Sequence, residues 1–167
     1  MKRRKEIEKA LGEVGESPTK WSRKEGTKNH VFMRKRIKPG TIRHMEYELL
    51  DVEIGESWPV PISIIHGSRP GPVVTLLGAI HGDELVGPLA LTYLCGPNFM
   101  GDERVIDPSV LAGTIRIVPI VNLPGYRRMI RDFPDGRDLN RCFPGKPDSN
   151  TTSRVAHKLW TRIIKSS

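Results

Sequence analysis

The hydropathy pattern becomes regular only after residue 40. In "TIRHMEYELLDVEI" and "WPVPISIIHG" apolar and polar residues alternate, and "GES" separates the two runs, which is the pattern of a β-hairpin. The apolar face of the first run changes from Met45, Tyr47 and Leu49 to Leu50, Val52 and Ile54, predicting a bulge or bend. In the second run Trp58, Val60, Ile62 and Ile64 alternate with Pro59, Pro61, Ser63 and Ile65. Its prolines predict an edge or irregular strand, because proline cannot donate to a sheet ladder. "PGPVVTLLGAI" is nearly all apolar, as expected of a strand covered on both faces. "DELVGPLALTYLC" follows as a helix with Pro88 in its first turn, where the missing donor costs nothing. "GTIRIVPIVN" is a second buried strand, so the order strand, helix, strand predicts a right-handed parallel crossover.

Residues 123–150 keep no period, and so long an irregular stretch in a compact domain marks function or disorder. A helix is then expected from a Thr152 or Ser153 cap, with Val155, Ala156, Leu159, Trp160, Ile163 and Ile164 on one wide apolar face. The pattern is that of an α/β fold with a mixed, largely parallel sheet flanked by helices. Its domain spans residues 41–167, after a basic and flexible arm at 1–40. An α/β pattern calls for a further strand after the last helix, so the fold is expected to be incomplete at its C-terminus. That would leave the apolar face of the last helix and one sheet edge uncovered and open to self-association.

Composition narrows the picture. A chain of 167 residues supports one core. The two cysteines, Cys95 and Cys142, form no CxxC pair and imply neither a disulfide scaffold nor a zinc ribbon. No apolar run reaches the length of about 18 residues that a spanning helix needs, and the N-terminus has no apolar leader. A cytoplasmic protein without membrane contact is expected. The net charge of +8 is concentrated in stretches such as "MRKRIK". Such blocks can bind nucleic acid or an anionic surface, but no aromatic platform or nucleic-acid signature accompanies them, and a solvated arm is the expectation.

Two stretches carry candidate chemistry. In "TLLGAIHGDELVG", His81 ends a predicted strand and Glu84 follows three positions later, the spacing at which two side chains can share an ion. The spacing alone is weak. Its place is more telling, since ligands in open α/β sheets bind beyond the carboxyl ends of strands. The plainer alternative is a strand-capping histidine and a glutamate that favours a helix N-terminus. The second stretch, "VNLPGYRRMIRDFPDGRDLNRCFPG", begins at the same end of the other buried strand. Its Arg131, Arg137, Asn140 and Arg141 suit capture of a carboxylate; the alternative is a surface loop tied by pairs with Asp132, Asp135 and Asp138.

"GAIHGDELVG" followed by "VNLPGY", an arginine and "PDGRDLNRCFPG" resembles the succinylglutamate desuccinylase and aspartoacylase family, relatives of the zinc carboxypeptidases. The resemblance runs from about residue 72 into the last helix. It implies a zinc carboxypeptidase-like fold and hydrolysis of the amide of an N-acyl amino acid, with one Zn2+ held by His81 and Glu84. By the same resemblance Arg131 polarises the scissile carbonyl, and Asn140 and Arg141 hold the carboxylate of a small-molecule substrate. The family's third zinc ligand and its general base lie on later segments that this chain does not contain. Within the chain, His157 falls at the polar border of the last helix and Glu103 lies in a linker. The chain by itself is therefore expected to be inactive. A carboxypeptidase-type peptidase, and a non-catalytic binding protein with half a metal site, are the competing expectations.

Overall fold

A computed structural model describes residues 37–49, 58–96 and 104–165. The basic arm up to residue 36, the continuation of the first β run with Leu50, Val52 and Ile54, and Glu103 lie outside the described residues.

Four strands form one mixed sheet: β1 (Thr41–Glu48), β2 (Pro59–His66), β3 (Arg69–Leu77) and β4 (Ala112–Val118), in the order β1-β2-β4-β3. The hairpin β1–β2 and the pair β2–β4 are antiparallel. Parallel pairing is confined to β3 and β4, which are joined through helix α1 (Val86–Cys95). The parallel share is thus smaller than the sequence pattern predicts, because the hairpin places its second strand directly against β4.

β2 lies inside the sheet despite its prolines. Pro59 and Pro61 pair with Glu48 and Glu46 of β1, whereas β4 reaches β2 only from Ser63 onward. Alternation of backbone direction turns both missing donors away from β1, to a side that has no ladder at that height. Locally the prolines still occupy an edge. β3 departs further from expectation: it is a border strand of the described sheet, with Val74 46% exposed, and is not covered on both faces.

Each sheet face has its own core. Val60, Ile62, Ile64 and Val118 face helix α3 (Thr151–Leu159) and the wide π turn Trp160–Ile164 that continues it. Ile65 and Ile117 point the other way, onto Leu91, Leu94 and Cys95 of α1. Asn150 caps α3 by accepting from the Ser153 N–H at 3.0 Å, two residues before Thr152 and three before Ser153, the caps predicted from sequence. Most of the apolar stripe of that helix is covered: Val155, Ala156, Leu159 and Ile163 are wholly buried, Ile164 is half-buried and Trp160 is exposed. The uncovered apolar face expected there is found on α1, where Val86 is 82% and Leu89 70% exposed.

Candidate metal and substrate site

β3 and β4 run side by side and release the chain at the same end of the sheet. Three backbone bonds extend their pairing past the strands: Gly78 N–H to the Val118 carbonyl at 2.9 Å, Val121 N–H to Gly78 at 3.0 Å, and Asn122 N–H to Ala79 at 2.9 Å. Ala79 takes a left-handed conformation with φ 43°, so the chain turns sharply before His81. His81 and Glu84 then share a tight turn, closed by the Glu84 N–H on the His81 carbonyl at 3.3 Å. They are brought together before α1 begins, since the helix starts at Val86 and not at Asp83.

The His81 ring is nearly buried and each of its nitrogens faces a carboxylate. Nδ1 lies 2.9 Å from Glu84 Oε1, and Nε2 lies 2.9 Å from Asp138 Oδ1. Burial, the largest single influence on the ring, lowers its pKa; the hydrogen bonds to Asp138 and Glu84 and the Asp138 charge together outweigh it, so the pKa is raised. The Asp138 carboxyl is pushed the other way, below its usual value, first by the His81 hydrogen bond and with help from the Asn140 N–H and Arg131.

Zinc binds His nitrogen and carboxylate oxygen at about 2.0–2.2 Å, so two tetrahedral ligands of one ion stand about 3.4 Å apart. The His81 Nδ1 and Glu84 Oε1 pair at 2.9 Å needs only a small opening to fit that requirement. On the far side of the ring, Asp138 stands where metal-binding histidines keep a carboxylate partner that fixes tautomer and orientation. The two donors therefore fit part of a zinc site. Among the described residues no group of three or more His, Cys, Asp or Glu side chains is placed to hold a metal ion. His157 lies half-buried on α3 and joins no such group.

Arg131 reaches the same cluster from the second stretch. Its guanidinium is 3.3 Å from Asp138 Oδ2 and 3.7 Å from Glu84 Oε1, and its side chain is 49% exposed. Asn140 and Arg141 sit on a single 3-10 turn, Leu139–Arg141. Asp138 caps that turn with a bond from the Asn140 N–H at 2.8 Å, and wholly buried Leu139 anchors it, which leaves Asn140 and Arg141 exposed beside the cluster. The ion-paired loop considered from the sequence is thus present in one element, the pairing of Arg131 with Asp138. Asp135 does something else: its carboxylate accepts from the Thr152 N–H at 3.1 Å and from the Thr152 hydroxyl, fastening the loop to the start of α3.

In the sequence Asp138 stands out only as one of three loop acids. The available signal was chemical: a histidine that binds a metal needs a partner on its other nitrogen, and the acid beside Asn140 and Arg141 was the one within reach of that role.

The sequence model of the succinylglutamate desuccinylase/aspartoacylase catalytic domain matches residues 70–166. The N-alpha-acetyl-L-2,4-diaminobutyric acid deacetylase of Halomonas elongata is 34% identical over 106 residues, covering 63% of this chain and 28% of that protein. A succinylglutamate desuccinylase/aspartoacylase of Rhodobacter sphaeroides superposes with a TM-score of 0.64 at 29% identity, over 78% of this chain and 39% of that one. The product-bound ectoine utilization protein EutE (DoeB) of Ruegeria pomeroyi does so with a TM-score of 0.64 at 28% identity, over 79% of this chain and 39% of that one. The chain thus spans about two fifths of the length of these solved relatives.

Proposed function

Since the chain belongs to the succinylglutamate desuccinylase/aspartoacylase family, we propose that it forms the metal- and substrate-holding part of a hydrolase that cleaves the amide bond of an N-acylated amino acid. The observation that carries this reading is the convergence of His81 Nδ1 and Glu84 Oε1 at 2.9 Å, with Asp138 behind the ring and Arg131 over the pair.

In this reading His81 and Glu84 hold one zinc ion, and the third protein ligand and the general base are supplied from outside the 167 residues. A zinc ion held there contributes Lewis acidity and lowers the pKa of water. Asp138 keeps the His81 ring oriented and its Nε2 proton in place, so that Nδ1 presents its lone pair. Arg131 polarises the scissile carbonyl: its half-exposed guanidinium is already fixed near the donors and can exchange a carboxylate partner for the developing oxyanion. Arg141 offers a planar fork to the substrate carboxylate and Asn140 a side-chain amide donor on the same turn.

The experiment is a zinc titration of the 167-residue chain beside His81→Ala and Glu84→Gln, together with an assay for hydrolysis of N-acetylated amino acids. One ion is expected to bind weakly, and binding should disappear in either variant, because two protein ligands leave two positions to solvent. No turnover is expected from the chain alone, since a positioned base contributes about 10² to 10⁴ in rate. Zinc binding that is indifferent to both substitutions would remove the metal reading. Brisk zinc-dependent turnover by this chain would require a ligand and base from within it, with His157 the first to mutate.

A further inference from the structure

Asn122 closes β4's exit and is completely buried, yet it is neither hydrophobic nor part of the metal and substrate cluster. Every polar group it carries is used. Its backbone N–H bonds the Ala79 carbonyl at 2.9 Å, and its backbone carbonyl accepts from the Tyr126 N–H at 2.8 Å. Its side-chain Oδ1 accepts from the Gly125 N–H at 3.0 Å, capping the short helix α2 (Leu123–Arg128). Its two Nδ2 protons go to the carbonyls of Arg131 at 3.2 Å and Asp132 at 3.3 Å.

Those last two bonds determine where the chain returns after α2. Met129 ends the helix in a left-handed conformation with φ 54°, and the backbone doubles back toward Asn122. The Arg131 carbonyl is gripped twice, by Asn122 Nδ2 and by the Gly82 N–H at 3.3 Å. Gly82 can come so near only because it has no side chain: a Cβ there would sit 2.1 Å from the Gly125 carbonyl carbon and 2.5 Å from the Ile130 carbonyl oxygen. One amide thus links the loop that bears Arg131, the first turn of α2 and the end of β3 just before His81.

We propose that Asn122 is a positioning residue: by holding the backbone of Arg131 against the His81–Gly82 turn, it fixes where the Arg131 guanidinium stands relative to Glu84 and Asp138. The inference rests on the reading of Arg131 as the group that polarises the substrate carbonyl, but it concerns the placement of that arginine and is testable without turnover.

Asn122→Asp separates the two jobs of the side chain. The carboxyl group is nearly isosteric and keeps an acceptor for the Gly125 N–H, so the cap of α2 survives; it offers at most one donor, and only when protonated, to the Arg131 and Asp132 carbonyls that the amide bonds with two. The readout is nuclear magnetic resonance of the arginine guanidinium Nη–H groups and of backbone amide exchange in the 167-residue chain. The expected result is that the variant keeps its fold and the protected Gly125 amide, while the Arg131 Nη–H groups, which face Asp138 and Glu84, lose their distinct shifts and exchange about tenfold faster or more, together with the Gly82 amide. A folded variant in which the Arg131 signal is unchanged would overturn the proposal. Should the variant fail to fold, the unmodified chain answers by warming below its unfolding transition: the Asn122 Nδ2 protons and the Arg131 Nη–H groups must lose protection together, and an arginine that stays fixed after the amide has opened overturns it equally. Failure of the hydrolase reading would show separately, as an Arg131 held by Asn122 in a protein whose His81 and Glu84 bind no zinc.

Discussion

Replacing Leu139 with alanine tests whether the turn that carries Asn140 and Arg141 is held by the core or by its own polar contacts. Leu139 is wholly buried among the residues packed under α3, while the neighbours on either side contribute to the cluster. Losing three carbon atoms from a buried site removes about 2.4 kcal/mol of transfer free energy, at roughly 0.8 kcal/mol each. The cavity left behind brings the expected cost to about 2.7–5 kcal/mol. Against a total stability of order 5–15 kcal/mol the variant stays folded, with a Tm lower by roughly 10 °C or more. Asn140→Ala and Arg141→Ala, being exposed, should each stay within about 0.5 kcal/mol of the unmodified chain. Denaturant unfolding of the three variants measures all of this in one series. A cost below about 1 kcal/mol for Leu139→Ala, or a comparable cost for Arg141→Ala, would mean that the turn is held by its polar contacts and that the division of labour between alternate residues is wrong.

Arg141→Lys should leave stability unchanged and weaken capture of an N-acyl amino acid carboxylate by family-length enzyme, as an increase in KM, because lysine replaces a planar fork with a point charge. In the metal-free chain, the raised His81 pKa gives a contribution present below its unfolded value of about 6.5 and lost as pH rises through the folded value. The lowered Asp138 pKa gives one present above about 3.9 and lost as pH falls through the folded value. Unfolding free energy measured against pH should therefore be highest between about pH 4 and 6.5, where both contributions are present, and Asp138→Asn should lower that maximum and flatten the flanks on either side of it. Exposure of Val86, Leu89 and Val74 leads us to expect concentration-dependent self-association, visible by sedimentation and relieved by Leu89→Lys; monodisperse behaviour at high concentration would remove that expectation.

The sequence made the elements readable where the driving term was apolar periodicity. The hairpin, the strand that leads to His81, α1 with Pro88 in its first turn and the stripe of α3 all rest on burial, which repeats with the period of the backbone. What it hid depends on the third dimension. The prolines of β2 look like edge markers until the height at which β4 joins is known. β3 looks doubly covered because an apolar run records only that its residues avoid water, not which neighbour shields them. Asp138 meets His81 across 57 positions of sequence, and Asn122 meets Arg131 only because a six-residue helix ends in a left-handed residue at Met129. Such contacts are fixed by chain reversals, and a reversal leaves little trace in hydropathy.

The bond between Asp135 and Thr152 has a bearing on how the polypeptide can be cut down. Helix α3 lends no side chain to the cluster, yet its first turn is one of the moorings of the segment that holds Asp138, Asn140 and Arg141. Gly145, whose Cβ would lie 2.2 Å from the Ser153 carbonyl oxygen, lets that helix sit directly on the segment's far end. A minimal fragment designed around the two motifs alone, ending near residue 145, would keep every residue named for the chemistry and lose the framework that holds half of them. The smallest portable version of this half-site therefore extends through Ile163, and grafting it into another scaffold means carrying the helix along with the motifs.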